Sequence, residues 1–114
     1  MVRKTDQSVI REHAHGGPGH IEVRQILAPQ ELRGRASLYA KVVVPPGAGI
    51  GLHPHYGETE SYYILSGNGF FLDGSGQRVP VGPGDICDIR EGESHGIENS
   101  GTAAMEMIAL VLPM

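Results

Sequence analysis

The chain has 114 residues, a length that suits one domain built around one core. Nine Lys and Arg stand against 13 Asp and Glu, for a net charge of −4. The basic residues are spread out, which argues against a nucleic-acid surface. No apolar run approaches the roughly 20 residues that a spanning helix needs, so no membrane partner is expected. The opening residues lack the apolar core of a signal peptide, and Cys87, the single cysteine, excludes an internal disulfide. A cytoplasmic protein is therefore expected.

Residues 1–12 mix charge with little apolar pattern and read as an arm. HAHGGPGH, residues 13–20, reads as a loop. Together residues 1–20 form an expected N-terminal arm and Gly/His loop, ahead of a β-barrel domain over residues 21–114. IEVRQIL, 21–27, alternates as a strand, and APQELRG, 28–34, resembles a helical turn too short to stand alone. SLYAKVVVP, 37–45, is β-branched and predicts a strand. PPGAGIG is a loop; GLHPH and ETESYYIL follow as strands.

SGNG, 66–69, predicts a hairpin turn leading into FFLD, and DGSG, 73–76, a second one. QRVPV, ICDI and ESHGIEN continue the rhythm, with Asp85 capping the GPGD turn. TAAMEMIALVL, 102–112, closes the series with Met105, Met107, Ala109 and Val111 on one face. About ten short strands, with turn signals every eight to twelve residues, predict an all-β sandwich or barrel.

Chemistry concentrates in HPHYGETE, residues 53–60. Residues two apart on a strand share a face, so His53 and His55 aim at one point. Pro54 lacks an N–H and suits an edge or irregular strand end. Glu60 shares a face with Tyr62 and Ile64. Two histidines and one carboxylate form a ligand set for a divalent transition metal. Glu58 has the same parity as Glu60 but falls in the turn and reads as solvated.

The spacing Gly47, His53, His55, Glu60, Gly67 resembles the first motif of the cupin family. Gly84, Arg90, Glu91, Gly92, His95 and Asn99 resemble the second, with Arg90 where Pro is usual. The resemblance implies a double-stranded β-helix, or jelly-roll barrel, and a small single-domain member of the oxalate-decarboxylase-like kind. It also implies that His53, His55, Glu60 and His95 hold one divalent ion, with Mn, Fe, Co, Ni and Zn all suited. His95 enters only through the resemblance; spacing alone does not select it. A homodimer is the common state in the family, and the N-terminal arm and the strand at 21–27 are available to pair with a second subunit.

The function implied is a metal-dependent enzyme acting on a small oxygenated carboxylate or sugar acid. It would be a lyase or decarboxylase, an isomerase or a dioxygenase. The alternatives are a non-catalytic module that binds a small ligand, and a structural role with an incidental metal. Two-domain oxalate decarboxylases carry an Arg three residues before the first motif histidine, where this chain has Ile50. The pocket then lacks that anchor unless Arg90 or Arg24 substitutes. For Arg90 a solvent-facing loop is the plainer reading, and for Arg24 the surface. Tyr62 is placed at the pocket as a hydrogen-bond donor, with a satisfied core tyrosine as the alternative. Cys87 reads as a small buried hydrophobe. HAHGGPGH lacks a carboxylate at ligand spacing. Its glycines read as flexibility, making it a solvated loop or a cover that lends one of His13, His15 and His20 to a ligand.

Overall fold

A computed structural model describes residues 1–5 and 7–114. Ten strands form among them: β1 (Val9–Glu12), β2 (His20–Gln25), β3 (Leu38–Val44), β4 (Gly49–Pro54), β5 (Glu58–Ser66), β6 (Gly69–Leu72), β7 (Arg78–Val81), β8 (Ile86–Ile89), β9 (Ser94–Glu98) and β10 (Met105–Pro113). One helical turn, α1 (Pro29–Leu32), and a 3-10 turn (Ala14–Gly16) complete the elements. All strand pairing is antiparallel. One sheet runs β1-β2-β3-β10-β5-β8 and the other β4-β9-β6-β7. This is the all-β double-stranded β-helix expected from the sequence.

The core lies between the two sheets, fed by strand alternation. In β10, Met105, Met107, Ala109 and Val111 are buried while the residues between them are less so. Val44, Val42 and Ala40 of β3 and Ile64, Tyr62 and Glu60 of β5 point the same way. Cys87 is buried, and burial raises its thiol pKa to about 11, so it is the inert hydrophobe expected. Arg24 pairs with Glu22 on the surface at 3.3 Å. Asp85 accepts a hydrogen bond from the Gly82 N–H at 2.8 Å, capping its turn.

Three local expectations change. SGNG does not close a hairpin, because β5 and β6 lie in different sheets. The chain crosses between sheets there, and Gly67 has φ +81. A side chain at Gly67 would meet the Ala104 carbonyl at 2.6 Å, so the crossing needs glycine for closeness as well as conformation. Residues 9–12, read as part of an arm, form β1 and pair with β2 from Val9↔Val23 to Glu12↔His20.

The third change concerns HAHGGPGH, which is not a flexible loop. His13 N–H bonds to Gly19 O at 2.8 Å, Gly17 N–H to Ala14 O at 2.9 Å, and Gly49 N–H to Pro18 O at 3.0 Å. A Cβ at Gly51 would run into the His15 carbonyl, and one at Gly17 into the Gly49 carbonyl. These glycines permit close packing of the segment on β4 rather than freedom.

Candidate metal centre

The two sheets bring four side chains together. β4 and β9 pair with His53 directly opposite His95. Directly opposite residues share a face, so both rings enter the interior from one sheet. Glu60 enters from the other sheet, on β5 between Val111 of β10 and Ile89 of β8. His55 lies just past β4, held by its N–H to Glu93 O at 3.1 Å and its C=O accepting from Gly92 N–H at 2.7 Å. Pro54 ends β4, an edge strand, as its missing donor requires.

One donor atom from each of His53, His55, Glu60 and His95 lies within 4.8 Å of all the others. His55 Nε2 is 2.9 Å from Glu60 Oε1 and 2.9 Å from His95 Nε2, and His95 Nε2 is 3.1 Å from Glu60 Oε1. Two donors each ~2.1 Å from one ion, at right angles, stand ~3.0 Å apart, so this spacing fits neighbouring ligands of a single ion. Glu60 is 7% exposed and His95 0%. A carboxylate buried there is costly without a cation. The cluster could therefore hold a metal ion.

The groups behind the ligands fix their orientation. His53 Nδ1–H donates to Gly51 O at 2.7 Å, and His55 Nδ1–H donates to Glu58 at 2.6 Å. A carbonyl or carboxylate only accepts, so each Nδ1 keeps its proton and each Nε2 presents a lone pair to the centre. Glu58, read from sequence as solvated, is thus the outer partner of a candidate ligand. β5 already begins at residue 58, and Gly57, at φ +72, makes the turn alone. His95 is held by packing: its Nδ1 has no partner among the described residues, and its ring lies 5.4 Å from Tyr62 and 6.1 Å from Phe71.

A cavity of about 580 Å3 opens above the cluster. Ile21, Val23, Val42, Ile50 and Val111 give it apolar walls, and His53, His55 and Glu60 lie at its floor. Tyr62 is buried on this wall, as expected. Burial and the Glu60 charge hold its hydroxyl pKa well above the ordinary range, so it stays a proton donor. Ile50 is buried and apolar, and no cation replaces it at that position. Arg90 does not line the cavity. Its side chain is 81% exposed, 3.7 Å from Asp88, on the loop after β8, in the solvent-facing place that was its plainer reading, and the pocket role has no contact to act through.

At the mouth lies HAHGGPGH, whose alternative reading was a cover, with His13 and His15 on the cavity lining. His15 lies flat on His53, ring centroids 3.6 Å apart and planes 7° from parallel. His13 and His15 both take left-handed backbone, at φ 48 and 49. That conformation is strained for a side-chain-bearing residue and persists only where surrounding contacts impose it. Burial, then the nearby rings of His55 and His95, lower the His15 pKa; burial lowers that of His53. His13 and Arg11 also border the cavity, whereas His20 opens β2 opposite Glu12. The ring stack of His15 on His53 had no signal in the sequence, because left-handed backbone is not visible in a Gly-rich string.

A β-barrel with a His and Glu cluster on its inner face defines a class of small metal-site barrels. The sequence matches the cupin domain over residues 40–111, and the chain belongs to the cupin family. It is 43% identical over 113 residues to a Thermotoga maritima protein named oxalate-binding protein, covering 98% of this chain and 93% of the relative. An uncharacterized protein of Methanocaldococcus jannaschii is 34% identical over 92 residues, covering 80% of this chain and 72% of that one. The crystal structure of a predicted oxalate decarboxylase from Thermotoga maritima superposes with TM-score 0.93 at 38% identity, over 100% of both chains. The polyketide cyclase RemF of Streptomyces resistomycificus shares the fold at TM-score 0.78 and 22% identity, over 99% of this chain and 78% of its own.

Proposed function

We propose that this cupin binds a small oxygenated carboxylate, oxalate being the first to test, at one divalent transition ion held by His53, His55, Glu60 and His95. The observation that carries the reading is the cluster at the floor of an open cavity: donors of His55, Glu60 and His95 stand 2.9–3.1 Å apart, and one from His53 lies within 4.8 Å of them. Mn, Fe, Co, Ni and Zn all suit three imidazoles and a carboxylate. When bound, the ion supplies Lewis acidity toward a carboxylate or keto oxygen. His53 and His55 are held in the ligating tautomer by Gly51 and Glu58, and Tyr62 keeps its proton beside Glu60. Ile21, Val23, Val42, Ile50 and Val111 on the walls offer the hydroxyls of a sugar acid no side-chain partner.

We take the chain to be a metal-dependent enzyme on that ligand, in the lyase or decarboxylase, isomerase or dioxygenase class. The second reading is a non-catalytic binding module, favoured by the oxalate-binding name of the Thermotoga relative. Metal analysis of purified protein, oxalate titration with and without chelator, and turnover assays with and without O₂ separate the readings. Oxalate binding that survives complete metal removal sinks the centre. Metal-dependent binding with no turnover under either atmosphere leaves the binding module.

We further propose a cytoplasmic homodimer. A single buried thiol suits a reducing compartment. Edge strand β1 is exposed throughout, with Val9 at 58% and Ile10 at 48%. Light scattering that gives a monomer mass at every concentration contradicts the dimer.

A further inference from the structure

The carboxylate reading leaves one charge unmatched. A dicarboxylate brings two negative charges to a floor that holds a divalent ion and Glu60, so the assembly carries excess negative charge. Apolar walls make such an excess costly. A cation is needed on the side of the ligand that faces the mouth. Arg90 lies outside the barrel and Arg24 is paired with Glu22 on the surface. Among the described Lys and Arg residues, Arg11 alone lines the cavity.

Register explains why. Arg11 of β1 stands directly opposite Ile21 of β2, and opposite residues share one face of a sheet. Ile21 is a core residue on the cavity wall, so Arg11 belongs to the inward face at the rim. Glu12 also borders the cavity, but strand alternation assigns it to the other face, opposite His20. Arg3, Arg24, Arg78 and Arg90 each stand beside an acidic partner. Arg11 has no side-chain hydrogen bond or ion pair among the described residues.

We propose that Arg11 is the anion anchor of the cavity, its guanidinium taking the carboxylate oxygens of the bound acid that the four-residue centre leaves free. The proposal rests on the carboxylate reading above. A guanidinium fork matches a carboxylate edge bidentately, which a lysine does not. The anchor makes the site selective for an acid with a second carboxylate over a hydroxy acid of equal size.

The test is calorimetric titration of protein reconstituted with the ion that metal analysis identifies, using oxalate and glycolate as probes. Arg11→Gln is expected to lower oxalate affinity at least about tenfold, as loss of a charged hydrogen-bonded pair does. Its affinities for glycolate and for the ion itself stay within about twofold of wild type, and Arg11→Lys falls between for oxalate. Unchanged oxalate affinity in Arg11→Gln overturns the anchor and leaves the carboxylate reading standing. Equal loss for oxalate, glycolate and the ion also overturns it, showing a structural role. A wild-type protein that takes the ion but neither acid overturns the carboxylate reading and the anchor together.

Discussion

The floor and the mouth of the cavity are built in different ways. At the floor, regular strands set three of the clustered side chains: His53 opposite His95 by register, Glu60 by alternation on β5. At the mouth, a short edge strand pairs with β2, and a segment with left-handed histidines lies against β4, backbone on backbone. The floor is specified by strand period. The mouth is specified by contacts, and its identity depends on glycines that let chains touch. His15 joins the two, with its ring flat on His53.

The comparison is tested most severely at the floor. Glu60→Gln or His95→Ala should lower metal affinity by more than about 100-fold, measured by competition with a chromophoric chelator, because each removes a proposed ligand. Glu58→Gln should cost about 10- to 100-fold in the same assay, the usual effect of losing a histidine's outer partner. If Glu58→Gln matches wild type, the 2.6 Å pairing with His55 carries no weight in the centre.

Gly51→Ala addresses the junction of floor and mouth. Its new methyl group would displace the His15 carbonyl, and calorimetry should show a loss of about 2 kcal/mol, in the range of overpacking. An unchanged melting temperature would mean that the mouth segment can lift from β4 without cost. His15→Ala should lower metal affinity only about threefold, the scale of one lost ring stack, and His15→Phe should restore it. A loss as large as that of Glu58→Gln would make His15 part of the floor.

The smallest effect expected is on pH. His15 and His53 have pKa values below their ordinary 6.5, so the unfolded chain binds protons before the folded one does. Stability of metal-free protein should hold above pH 6.5, then fall as the pH drops toward the depressed folded values. Urea denaturation across that window checks the sign; a rise in stability on acidification contradicts it.

Part of the floor was legible in HPHYGETE: Glu60 follows the period of 2 on β5, while His55, expected to share a strand face with His53, lies just past the end of β4. His95 was legible only through family resemblance, since its distance in sequence from His53 encodes nothing about register. Glu58 was misassigned by the placing of one turn: Gly57 makes the bend alone, so residue 58 already belongs to the strand. SGNG was read as a hairpin because turn chemistry reports a change of direction, not which sheet the next strand joins. Glycines at 16, 17 and 19 suggested mobility, yet a glycine serves close approach as readily as freedom. Arg11 passed unnoticed because a charged four-residue strand has no pattern that separates it from an arm.

Strand β10 has a consequence for how the molecule comes into being. It lies at the centre of its sheet, joined to β3 on one side and β5 on the other, yet it follows the nine other strands in the chain. Without it the six-stranded sheet falls into two pieces, β1-β2-β3 and β5-β8, with no hydrogen-bonded seam between them. A nascent chain emerging in order, N-terminus first, therefore carries exposed strand edges until its final strand arrives. Glu60 faces Val111 across that late seam. The four-stranded sheet that sets His53 opposite His95 needs no β10, so it is Glu60 whose place is fixed last, when the final strand closes its seam.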